Sequence, residues 1–202
     1  MKLEEKAEEK RKELLKSVQD SIKMPSLSDQ NCAKISEQII NNFTDITPPE
    51  IEISFDLVIM RKGGMGGGRS NKPGNILLNW KKLLVNGSES ILTIVGANAV
   101  PWLIPLAALI VWDKIYSAST IEISERHATL IWTLWKNCDE KKCIEYKLIK
   151  DLVNWELGRY NRPKLEQKEL DMLLKDLEKI ECIEETDENK WWLREWVKVT
   201  FE

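Results

Sequence analysis

A chain of 202 residues has room for one large domain or two small ones, and 43% hydrophobic with 31% charged residues is the composition of an ordinary folded protein. Its net charge of −3 excludes a molecule drawn as a whole to nucleic acid, so any electrostatic function must be local. Four scattered cysteines, Cys32, Cys138, Cys143 and Cys182, show no paired framework and read as thiols of a reducing compartment.

In chain order, residues 1–60 predict a helical region with one strand. A Glu/Lys-rich helix over 2–23 carries a thin apolar stripe of Leu3, Ala7, Leu14, Val18 and Ile22. So narrow a stripe suits either a partner helix, in this chain or another copy, or a helix lying along its own domain. The charge from Lys2 to Lys16 argues against a cleavable signal peptide. After Pro25, Ser28 and Asp29 offer an N-cap for a second helix, with Ile35, Ile39, Ile40 and Phe43 on one face. Thr47-Pro48-Pro49 is expected to stop it. Ile51, Ile53, Phe55, Leu57 and Ile59 then alternate with polar residues, a half-buried strand in need of a partner.

Residues 61–88 read as a basic, glycine-rich linker. The run Gly63–Gly68 follows a strand signal, yet it lacks the Lys-Ser or Lys-Thr ending of a phosphate loop, and no cofactor is expected. Arg61, Lys62, Arg69, Lys72, Lys81 and Lys82 occur with no acidic residue between Asp56 and Glu89, and we expect them to touch lipid headgroups.

That expectation comes from residues 89–118, read as a membrane-inserting segment. Ile91–Trp112 holds no charge, and at about 1.5 Å per residue it just spans a hydrocarbon core of about 30 Å. Pro101 and Pro105 predict a kink, a helical hairpin or a re-entrant insertion. Gly96, Ala97, Asn98 and Ala99 are the expected helix-packing seam. The flanking charge places the N-terminal side in the cytoplasm. The alternative is a buried helix in the core of a dimer.

Residues 119–202 have the most legible pattern. A short strand-like piece at 120–123 precedes Ser124, an N-cap for a helix carrying Ala128, Ile131, Leu134 and Trp135. A second helix at about 145–157 carries Leu148, Ile149, Leu152 and Trp155. A third at about 164–180 carries Leu170, Leu173, Leu174 and Leu177, and two strands follow around residues 187–190. This order of three helices and a hairpin resembles a winged-helix domain. The resemblance implies binding of DNA or of a protein. The third helix holds five acidic and four basic residues, which fits a protein better than a duplex. On the last strand, Trp192 and Trp196 flank Arg194 on the nominally wet face, a candidate partner interface.

No catalytic motif is visible. His127 is the only histidine and has no nucleophile near it in sequence, and a zinc site at Cys138 and Cys143 has only Cys182 and His127 to complete about four ligands. A Cys138–Cys143 disulfide is the other alternative reading. The expected fold class is mainly α with minor β. The expected function is a non-enzymatic membrane-attached adaptor or effector that binds a protein partner or itself. The alternative is a soluble nucleic-acid-binding regulator. No metal or small-molecule ligand is indicated.

Overall fold

The computed structural model describes residues 3–19, 28–53, 69–95, 100–116, 121–140, 142–186 and 189–201. Among them are seven helices and three small sheets, an α+β arrangement dominated by helix. Helix α1, Leu3–Gln19, is charged around most of its circumference, but Leu14 and Val18 are buried. It packs on α2, Asp29–Phe43, and on elements further along this same chain. Ser28 caps α2 by accepting the Asn31 N–H at 3.3 Å, and Cys32, Ile35, Ser36, Ile39, Ile40 and Phe43 form its buried face.

The backbone turns extended directly at Thr44. Strand β1, Thr44–Thr47, leads to β2, Glu50–Ile53, and β3, Arg69–Lys72, leads to β4, Gly74–Asn79. β1 pairs antiparallel with β4, and β2 with β3. Thr47 faces Asn75, and three residues further out Glu50 faces Lys72, so both ladders share one register. They form a single long ribbon interrupted where Pro48 and Pro49 lie opposite Pro73 and Gly74, because proline has no N–H to give a ladder. The strand expected from Ile51 onward thus finds its partner in residues expected as linker. Its continuation beyond Ile53, including Phe55, Leu57 and Ile59, lies outside the described residues.

Asn79 ends the ribbon and opens α3, Trp80–Val95, its Oδ1 accepting the Lys82 N–H at 2.8 Å. Helix α4, Leu103–Tyr116, follows. The expected membrane-type helix is therefore not formed as one element. Ile91–Trp112 is divided between the end of α3 and α4, and no helix among the described residues is long and apolar enough to cross a membrane. The 14 residues of α4 reach about 21 Å at about 1.5 Å per residue, well short of about 30 Å. Pro105 falls in its first turn, where a missing N–H breaks no helical bond.

α4 is apolar nearly all round because protein surrounds it. Ala107, Ala108, Leu109, Val111 and Trp112 are fully buried, and α5 is its most extensive neighbour, with α1, α2 and α3 also packed on it. Trp112 Nε1 donates to the Ile180 carbonyl at 2.8 Å, and Trp102 Nε1 donates to Glu125 at 2.8 Å. Both bonds cross from the apolar segment into the C-terminal region.

That region runs α5, Glu125–Asn137; β5, Cys143–Glu145; α6, Tyr146–Arg159; α7, Gln167–Lys179; β6, Ile183–Thr186; and β7, Lys190–Leu193. Its sheet order is β5-β7-β6, all antiparallel. Residues 121–123, expected as strand, are irregular. Helices α6 and α7 end alike. Arg162 N–H reaches the Leu157 carbonyl and Asn161 the Gly158 carbonyl; Cys182 reaches Leu177 and Glu181 reaches Glu178. Asn161 and Glu181 hold the left-handed conformation that such endings require, at φ 53° and 60°.

The last strand does not stay in this region. It breaks at Arg194-Glu195, and β8, Trp196–Phe201, pairs with β4 to give a sheet of order β1-β4-β8. The odd positions of 191–201 do face inward, with Trp191, Leu193 and Val197 buried, but they serve two sheets.

Candidate interaction surfaces

Helix α6 buries Ile149, Val153, Glu156 and Leu157. Leu148 and Trp155, two of the four apolar residues expected to mark this helix, are 47% and 58% exposed. Both stripes have helical spacing, and the buried one contains a carboxylate, which hid it in the sequence. Glu156 accepts the Trp132 indole N–H at 3.3 Å, and Lys136 and Arg159 lie 3.6 and 3.4 Å from its other oxygen. The same two cations sit 5.3 and 5.0 Å from the Trp155 ring centre. A buried charge is stable only when paired, so Glu156 tethers both cations where they also hold the exposed indole. Asn154 fixes the adjoining loop, accepting the Leu165 N–H at 2.6 Å and donating to its carbonyl at 3.1 Å. Arg159 and Lys164 line a shallow, open depression beside Trp155, with Asp151 and Gly158. Arg162 is turned away, with two bonds to Glu125.

A second concavity lies between α7 and the β6–β7 hairpin. Tyr146, Asp171, Leu174, Lys175, Glu178, Glu185, Asn189 and Trp191 line it. Tyr146 donates its phenol proton to Asp171, which keeps that phenol protonated above its usual range, and Gln167 donates to both. Three carboxylates face one ammonium here.

His127 is buried in the first turn of α5. Its Nδ1 accepts the Ser124 N–H at 3.2 Å, closing the first turn of the helix, and Nε2 lies 3.4 Å from Asp176 Oδ2. A neutral imidazole with its proton on Nε2 meets both demands. Burial lowers its pKa below 6.5, against the opposing pull of Asp176. It acts as a capping side chain, and among the described residues its hydrogen-bond partners are the capping Ser124 and Asp176. No disulfide links the four cysteines, and complete burial pushes the Cys182 thiol far up. Among the described residues, no three His, Cys, Asp or Glu side chains converge as metal ligands.

The residues of the expected partner interface fall on two strands and the break between them. Trp192 is half-buried on β7, whereas Trp196 is 60% exposed at the start of β8, opposite Asn79. Arg194 is engaged between them, 3.0 Å from Glu184 and 3.6 Å from Glu181. Of the expected headgroup cluster, Lys72, Lys81 and Lys82 are exposed, and Lys81 lies 3.5 Å from Glu195, which also binds Lys142. Arg69 is in β3. Arg61 and Lys62, and the packing seam at Gly96, Ala97, Asn98 and Ala99, lie outside the described residues.

No protein-family model, no curated protein and no solved structure matches this chain.

Proposed function

We propose that this chain is a non-enzymatic adaptor subunit in which residues 121–193 form a winged-helix-like module that holds a protein partner at Trp155. The observation that carries the reading is an exposed tryptophan clamped by two cations that share one buried carboxylate. Tryptophan and arginine dominate the energetics of protein interfaces, and a side chain already immobilised loses little entropy on binding. The order β5-β7-β6 around three helices supports the winged-helix assignment. The apolar helix that suggested a membrane serves as core, so the proposal rests on the module alone.

Capture from extracts of the source cells by the wild-type chain and by Trp155→Ala tests it. The expected outcome is a protein retained by the first and lost by the second, since truncating a hot-spot tryptophan costs about 2 kcal/mol or more, roughly thirty-fold in affinity. Equal retention by both overturns the reading.

Duplex DNA binding is the second reading, favoured by Arg159, Arg162, Lys164 and Lys168 ahead of and within the start of α7. It requires salt-sensitive duplex binding that weakens in Arg159→Ala and Arg162→Ala. The acidic groove beside α7 opposes it, because a phosphate backbone needs cations there.

A further inference from the structure

The groove between α7 and the β6–β7 hairpin is lined by three carboxylates, those of Asp171, Glu178 and Glu185. Asp171 is held in place by Tyr146 and Gln167, while Glu178 and Glu185 stand exposed on the helix and on the hairpin. Lys175 is the one cation among the described residues that line it. Independently of that charge, Trp191 lines the groove at 5% exposure, and its buried Nε1–H has no acceptor among the described residues. Buried N–H groups are nearly always bonded, so one left without an acceptor calls for an explanation. The volume of about 250 Å³ lies below the roughly 300–1,000 Å³ of small-molecule sites and suits one long side chain.

We propose that this groove receives an extended, arginine-bearing segment of a protein. A guanidinium set between Glu178 and Glu185 presents planar, forked donors to carboxylates on both walls, and it is more weakly hydrated than an ammonium. A backbone carbonyl of the same segment supplies the acceptor that the Trp191 indole lacks. The surface differs from Trp155 in place and in sign of charge, so either binding site can exist without the other.

The test uses the full chain with ¹⁵N-labelled tryptophan, titrated with a Gly/Ser peptide carrying Arg at alternate positions and with its Glu counterpart. Trp191→Phe assigns the indole resonance. The expected result is a shift of the Trp191 N–H with the Arg peptide alone. Binding should weaken about tenfold or more in Glu178→Lys/Glu185→Lys, and be largely lost at about 1 M salt, where the screening length is about 3 Å. Both glutamates are exposed, so the double variant keeps its fold. Equal binding of the two peptides, an unmoved Trp191 resonance, or undiminished binding by the double variant would each overturn the proposal.

Discussion

Residues 121–193 and the region formed by 28–116 with β8 are both mixtures of helix and small sheet, yet they are assembled differently. In the first, every strand pairs with another strand of the same segment, and the core is made by helices close in sequence. In the second, β4 is sandwiched between β1, some thirty residues earlier, and β8, more than a hundred residues later. Helix α4 then joins the two, donating to Ile180 from Trp112 while Trp102 binds Glu125. The comparison teaches that the C-terminal region carries its own information, whereas the N-terminal one depends on a strand borrowed from the chain's far end.

The sharpest way to break this arrangement is at the helix both regions share. Trp112→Ala should destabilise the protein by about 3–5 kcal/mol, by opening a cavity in the core, and it also removes the bond to Ile180. Urea unfolding followed by far-UV circular dichroism measures it. Were α4 instead an exposed membrane anchor, the loss in water would be near zero.

The borrowed strand is tested next. A methyl group at Gly74 would stand 2.6 Å from the Phe201 ring and 2.8 Å from the Thr47 carbonyl. Gly74→Ala should therefore cost about 1–3 kcal/mol by overpacking. Phe201→Leu in the same chain should recover part of that loss, since only the Thr47 backbone contact then remains. Full additivity of the two substitutions would mean that β8 does not lie against Gly74.

A smaller effect belongs to the C-terminal region alone. His127 is neutral in the fold with a lowered pKa, whereas in the unfolded chain it titrates near 6.5. Its contribution is thus fully present above about pH 6.5 and is lost as pH falls toward the depressed folded value. His127→Gln should remove that slope from the stability profile between pH 7 and the onset of carboxylate titration, as read by denaturant midpoints. Smallest of all, Asn161→Gly should raise stability by about 0.5 kcal/mol or less, because glycine holds the left-handed ending of α6 without the side-chain penalty, less its greater freedom when unfolded.

The same contrast explains what was legible in the sequence. The leucines of α7 and the Ser124 cap are local signals, and the three helices they mark are observed in that order; the strand expected at 120–123 is not found among residues 121–123, β5 was not expected, and the last strand is divided into β7 and β8. β3 is Arg-Ser-Asn-Lys and carries no apolar alternation, and β1 sits behind a helix whose periodicity runs straight into it. Neither has a signature without its distant partner. The uncharged run at Ile91–Trp112 is ambiguous for the same reason. A helix covered by four others and a helix covered by lipid look alike in composition, and only the break between α3 and α4 tells them apart. On α6 the sequence does not single out the buried face, because Leu148, Leu152 and Trp155 are spaced as well as Ile149, Val153 and Leu157. The buried Glu156, which would have shifted the choice, reads in a sequence as a surface residue.

Hydrogen exchange of β4 amides, in the full chain and in one ending at Leu193, tests the dependence of the N-terminal region on β8 most directly. The expected result is that Ile76–Leu78 lose most of their protection in the shortened chain while α6 and α7 keep theirs. Unchanged protection at Ile76–Leu78 would contradict the shared strand, and loss of protection in α6 and α7 as well would contradict the self-contained C-terminal region.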